Sequence, residues 1–283
     1  MYNLKTGVSV DCFSAREIPN GHEFFYRSDL KENLQAVKDA GFYSIELAIN
    51  GLWKKSAISD YLDSFKDLVA LVKSYGLVIE SVHMPFGTLV DLDFTAPIEE
   101  QRVSALKHAV LICEKLKDAN AHHFTLHPGL RPTPEDRDIR ISQLIKSMNE
   151  IVKMTDAKIC VENMTNDSLL NTSEEAKRVL DNSPMEMVID LNHMLKETPQ
   201  NYLKVVGKRV QGLHVSDRTA EKECHYLPGK GILDYQDIIK TLDQIGYDGV
   251  FNYEVGFGKS EKVSAQDIMD NHRALFAEYN RQF

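Results

Sequence analysis

KICVEN (158–163), EMVIDLNH (186–193), VQGLHVSD (210–217) and GVFNYEV (249–255) are four short apolar runs that deliver, in turn, Glu162, Asp190 with His193, His214 and Glu254. Carboxylates and imidazoles are the side chains that hold catalytic divalent metals in oxygen and nitrogen coordination. One such run would carry little information. Four in succession, each followed by a turn and a helix-like stretch, imply separate strands whose C-terminal ends converge on one point, which is how a (β/α)8 barrel builds an active site.

Upstream of these runs the same alternation continues. Strand-like segments fall at 6–10, 44–49, 78–83, 122–127, 158–162, 186–190, 210–214 and 249–254. Amphipathic stretches lie between them at 29–40, 57–75, 99–118, 135–154, 173–181 and 235–245, with 265–279 closing the chain. Ile238, Ile239, Leu242 and Ile245 recur at the spacing of a helix stripe that faces a sheet. Ser173 ahead of Glu174 and Glu175 suits a helix start, and Gly41, Gly76 and Gly246 suit left-handed helix ends. Pro199 and Gly207 leave room for only a short helix at 200–206. Alternating β and α units call for a parallel sheet with right-handed crossovers. Ligand-type residues spread over many strand ends favour a closed barrel over an open sheet, where function gathers at one switch point.

A chain of 283 residues fits this architecture as a single α/β domain over 1–283, since (β/α)8 barrels run to about 250 residues. The net charge of −9 repels nucleic acid and anionic membrane on average, which favours a small-molecule ligand. Cys12, Cys113, Cys160 and Cys224 form no CxxC pair and read as reduced thiols. MYNLKTGVSVDCF (1–13) has no apolar signal core, and no apolar run approaches the roughly 20 residues of a membrane span. The expected compartment is the cytoplasm, and a homo-oligomer is compatible with it.

The first half enlarges the candidate site. ESVHMPFG ends a strand on His83, FTLHPG ends one on His127, and ECHYLPGKG carries Glu223 and His225 after the seventh strand. These four serve equally well as structural hydrogen-bonding residues, as contacts to substrate, or as ligands of a further metal. His122 and His123 begin a strand on the stability face, whereas His22, His108 and His272 read as surface residues. Phe13, Trp53 and Phe86 are candidate apolar walls for a sugar, or plain core. PGKG (228–231) could cradle a phosphate through its amides and Lys230.

The strand-ending Glu, the DLNH segment, the His of GLHV and the ending PGKGILDYQDIIKTLDQIGYDGVFNYE (228–254) together resemble the xylose-isomerase-like TIM-barrel superfamily, over nearly the whole chain. The superfamily includes sugar and sugar-phosphate isomerases and epimerases, inositol-pathway enzymes and endonuclease IV. Resemblance to its ketose 3-epimerase branch implies that Glu162, Asp190, His214 and Glu254 bind one divalent metal (manganese, magnesium, cobalt or zinc), with His193 beside the substrate oxygens. It further implies that Glu162 and Glu254 face opposite sides of a ketose or sugar phosphate and move its proton through an enediolate. Such a pairing is physically reasonable, because two carboxylates in one site can be driven to different pKa values. Arg218 could hold a substrate hydroxyl or phosphate, or form a rim salt bridge.

Two other chemistries share the pattern. The nine ligands of the three-zinc endonuclease IV cluster have counterparts in His83, His127, Glu162, Asp190, His193, His214, Glu223, His225 and Glu254. MPFGTLVD (84–91) and NMTNDS (163–168) depart from that family, however, and an acidic chain does not advertise DNA-inserting loops. A keto-inositol dehydratase would use the same metal and the same proton abstraction but expel a hydroxyl.

Overall fold

A computed structural model describes residues 1–9, 30–49, 58–86, 92–255 and 263–282. The order is β1 (Lys5–Ser9), α1 (Leu30–Ala40), β2 (Ser44–Ala48), α2 (Ile58–Ser74), β3 (Val78–His83), α3 (Glu99–Lys115), β4 (His123–Leu126), α4 (Arg137–Ile151), β5 (Ile159–Glu162), α5 (Ser173–Leu180), β6 (Glu186–Asp190), α6 (Pro199–Val206), β7 (Val210–Val215), α7 (Tyr235–Ile245), β8 (Val250–Tyr253) and α8 (Ala265–Gln282). Strands pair in sequence order, all parallel, and β1 pairs with β8. The eight-strand expectation therefore holds, as a closed (β/α)8 barrel. No helix among the described residues is long and apolar enough to cross a membrane. Phe13 and Trp53 lie outside the described residues.

Side chains alternate along the strands, with register shifts where β3 passes β2 and β7 passes β6, and the two faces differ in chemistry. Ile45 and Leu47, Ile79, Phe124 and Leu126, Val161, Ile189, Leu213, and Phe251 with Tyr253 belong to the apolar core. Their neighbours Glu46, Ser81, His123, Gly212, His214 and Asn252 instead line a small cavity. Val188 and Val250 share that lining, so the branched apolar side chains usual inside such a barrel are here interspersed with polar and small residues. Burial of the helices' apolar stripes follows the sequence pattern, with Ile238, Ile239 and Leu242 of α7 fully buried.

Helix ends behave as their residues require. Gly41, Gly76 and Gly246 adopt φ of +89°, +75° and +73°, the left-handed region that glycine enters without a Cβ penalty. The start of α5 differs by one position, because the side chain of Thr172, not Ser173, accepts from the Glu175 amide. His272 is a correction. It is buried, donates from Nε2 to the Leu4 carbonyl at 3.0 Å, and packs against Phe251 and Phe276, so it ties α8 to the chain start instead of facing solvent.

Gly212 controls how closely β7 approaches the barrel interior. A Cβ there would stand 2.8 Å from the His123 ring and 3.1 Å from Val188 Cγ2, neither of which is a flexible chain end. Gly212→Ala should lower unfolding free energy by about 1–3 kcal/mol in a urea titration, and should shift His214, two residues onward.

Candidate metal centre

Each candidate side chain stands where a strand gives way to its following loop. β3 ends on His83, β5 on Glu162 and β6 on Asp190; His127 follows β4, His214 lies in β7, and Glu254 follows β8. His193 sits three residues beyond Asp190 in the loop that follows β6. Glu223 and His225 belong to the loop after β7, where His225 takes a left-handed φ of +52°. Strand polarity thus collects residues up to 171 positions apart at the C-terminal mouth of the barrel.

Glu162 is the hub. Its Oε2 lies 3.0 Å from both His83 Nε2 and His127 Nε2, and its Oε1 lies 3.0 Å from His214 Nδ1. Glu254 Oε2 is 3.3 Å from the same His214 nitrogen. One donor atom from each of Glu162, Asp190, His214 and Glu254 falls within 4.8 Å of the others, and His83, His127 and Glu162 form a second such group that shares Glu162. Asp190 Oδ2 is buried and accepts no hydrogen bond among the described residues, although His193 Nε2 is 3.4 Å away. A buried carboxylate oxygen without a donor is costly unless a cation faces it. Three carboxylates and an imidazole are also hard and borderline donors of the kind that manganese, magnesium, cobalt or zinc accept. The residues fit a divalent metal.

Glu223 and His225 stand apart from both groups. They pair with each other at 2.6 Å, while Glu223 reaches His193 Nε2 at 3.6 Å. His225 Nδ1 donates to the Glu254 carbonyl at 3.0 Å. A third group, Glu80, His122 and His123, lies at the opposite end of the strands. Phe86 stacks on His127 with ring centres 4.2 Å apart and is 46% exposed, so it forms part of the rim instead of the core.

Protonation follows from the partners. Carbonyls and ionised carboxylates only accept, and both ring nitrogens of His83 face acceptors, Met84 O and Glu162. The same is true of His214 between Glu162 and Glu46, and of His225. Burial disfavours a charge on His83, but Glu162 and Glu46 outweigh it and push its imidazole up to about 9. His225 is likewise opposed by burial, then raised to about 9 by Glu223 and Glu254. On His127 burial wins over Glu162, and its pKa falls. The carboxylates also separate. Burial lifts Glu254 to about 7 despite His214 and His225, whereas for Glu162 the imidazoles of His214 and His127 overcome burial and hold it well below the ordinary range.

Several organising residues carry no motif. Asn163 exchanges bonds with the Asp190 backbone, accepting from its N–H at 2.7 Å and donating to its carbonyl at 3.0 Å, and its own carbonyl takes His193 Nδ1–H at 2.8 Å. Glu162 and Asp190 are thereby fixed relative to each other. Glu46, in the middle of β2, is another and lies beneath His214. Asp217 is a third. Its carboxylate accepts the amides of Arg218, Gly229, Gly231 and Leu233. The cradle that PGKG could have offered a phosphate loses its amide donors, because the Gly229 and Gly231 amides are already bonded to Asp217 and the Lys230 amide to Leu227 O. Arg218 is buried, with its guanidinium donating to Thr219 O and Met194 O.

Residues 34–275 match the family model for the xylose isomerase-like TIM barrel. The chain belongs to that family. Among curated family relatives, an uncharacterized protein of Methanocaldococcus jannaschii is 25% identical over 247 residues, 86% of this chain and 89% of the relative. Fructoselysine 3-epimerase of Shigella flexneri is 20% identical over 195 residues, 65% of this chain and 71% of the relative. The crystal structure of a D-tagatose 3-epimerase-like protein superposes with a TM-score of 0.76 at 19% identity, covering 99% of both chains.

For this family member the imidazole pairings set a pH dependence. His83 and His225 have folded pKa values near 9, above the roughly 6.5 of an unfolded histidine. Their contribution to stability is complete below about 6.5 and disappears as pH rises through 9. Chelator-treated protein should therefore melt at progressively lower temperature from pH 6.5 to 9. A flat melting profile over that window would contradict the paired imidazoles.

Proposed function

We propose that the protein is a divalent-metal-dependent sugar epimerase or isomerase that acts on a ketose or keto-polyol. The observation that carries this reading is the pair Glu162 and Glu254, both against His214 Nδ1 yet driven in opposite protonation directions. Two carboxylates whose environments separate their proton affinities are suited to acid and base roles in one site. The metal, held by Glu162, Asp190, His214 and Glu254, would stabilise negative charge on substrate oxygens as the proton leaves carbon.

Within this reading, one of the two glutamates removes the proton beside the carbonyl and the other delivers a proton to the opposite face. Glu254 is the more exposed of the two, with 16% of its side chain accessible, and in the metal-free protein burial raises its pKa to about 7. Glu162, bonded to His83, His127 and His214, rests as a carboxylate and so suits the role of the base, which becomes protonated as it takes the proton from carbon. His193, anchored through Nδ1 on Asn163 O, presents Nε2 towards substrate oxygens, and Phe86 with His127 supplies a flat rim for the carbon face of a sugar. The 228–231 turn offers no free Gly amide for a phosphate, so unphosphorylated ketoses are the first substrates to test. The fructoselysine 3-epimerase relative makes inversion beside the carbonyl the first reaction to test.

The deciding experiment combines metal analysis of purified protein with incubation of a ketose panel in deuterated solvent. One tightly held divalent metal and carbon-bound deuterium are expected, and both Glu162→Gln and Glu254→Gln should lower kcat by about 10²–10⁴-fold without loss of fold. Full turnover in both variants would overturn the two-glutamate mechanism. Three zinc ions with cleavage of abasic DNA would establish the nuclease chemistry instead, and loss of a substrate hydroxyl would establish a dehydratase.

A further inference from the structure

Glu46 is 1% exposed in the middle of β2, with no lysine or arginine paired to it among the described residues. Its Oε2 accepts from Ser81 Oγ at 2.7 Å and from His214 Nε2 at 3.1 Å. Its Oε1 has no hydrogen-bond partner among the described residues, and the side chain borders the interior cavity with His123, Gly212 and Asn252. A neutral glutamine would satisfy Ser81 equally well and would avoid burying a charge. The carboxylate therefore gains over an amide chiefly through His214.

Two of the neighbouring imidazoles are held at one ring nitrogen by a backbone acceptor. His83 Nδ1 donates to Met84 O and His193 Nδ1 donates to Asn163 O, both neutral carbonyls. His214 differs in having a carboxylate behind it. An imidazole whose far N–H is bound by a carboxylate is held in one tautomer and orientation, and is a better donor at its free nitrogen. For His214 the free nitrogen is Nδ1, which lies between Glu162 and Glu254.

We infer that Glu46 is a positioning residue for His214: by taking the Nε2–H it aims Nδ1 at the space shared with Glu162, Asp190 and Glu254 and strengthens that nitrogen as a ligand. The ligand part of this inference rests on the metal site proposed above. The hydrogen-bond part does not. Glu46 touches neither substrate nor metal, so its effect reaches the site only through the ring it holds.

Two variants and two readouts test it. Glu46→Gln keeps shape and an acceptor oxygen but removes the charge, and Glu46→Ala removes both. In manganese titrations Glu46→Ala should raise the dissociation constant about 10–100-fold, with Glu46→Gln in between. In metal-free protein, nitrogen-15 imidazole NMR should show a slowly exchanging His214 Nε2–H that survives Glu46→Gln and vanishes in Glu46→Ala. A purely structural role would move the melting temperature and leave both readouts in place for the folded variants. Wild-type manganese affinity in both variants, or persistence of the imidazole proton in Glu46→Ala, overturns the inference. If wild-type protein takes up no divalent metal, the proposed site and the ligand part fail together, while the imidazole proton still decides the contact.

Discussion

A carboxylate taken out of water needs a positive partner or a cation, and the mouth of this barrel removes several at once. Glu46, Glu162 and Asp190 are each at most 1% exposed. Desolvating such ions costs several kcal/mol apiece, and among the described residues imidazoles, not lysine or arginine, offset it. Imidazole suits the task because it can surrender the compensating proton near neutral pH. Each His214 ring nitrogen faces a carboxylate, Nδ1 on Glu162 and Nε2 on Glu46; a cation bound beside Nδ1 would displace the proton there and leave Nε2–H in place. Metal uptake at this site would therefore be coupled to proton release, and the strand order is what brings the paired groups together.

The barrel was readable from sequence because eight apolar runs alternate with amphipathic stretches, and glycines mark several of the joins. Glu162, Asp190, His214 and Glu254 were visible for the same reason, since each interrupts or ends an apolar run. Glu46 was not. Within SIELA it has the alternation of any half-exposed strand, and only closure of the barrel brings it to Ser81 and to His214, 168 residues away. Asp217 was hidden similarly, because nothing local says that a carboxylate beside Arg218 will gather amides from residues 229–233. His272 did carry a signal that surface expectation overrode: Ile268, His272 and Phe276 repeat every four residues along the buried stripe of α8.

The polar interior changes what the strands have to do. In a barrel filled with branched apolar side chains, the inner layers are a second core; here Val188 and Val250 share the inner face with Glu46, Ser81, His123, His214 and Asn252. Gly212 follows from this arrangement. A side chain at that position would meet the His123 ring, so β7 can carry His214 inward only where the preceding inward position is bare. Stability and site geometry are thus written into the same strand, residue by residue.

The Asp217 clamp bears on how a ligand is chosen. Four backbone amides already converge on one buried carboxylate, so that stretch of rim has lost its conformational freedom before any molecule arrives. Binding against it costs no further loop ordering, and preorganised surfaces convert contact into affinity with little loss. Such a wall does not mould itself to its guest. A molecule that met that side of the mouth would be selected by its fit to a fixed surface, because the amides that could rearrange around it are already bonded.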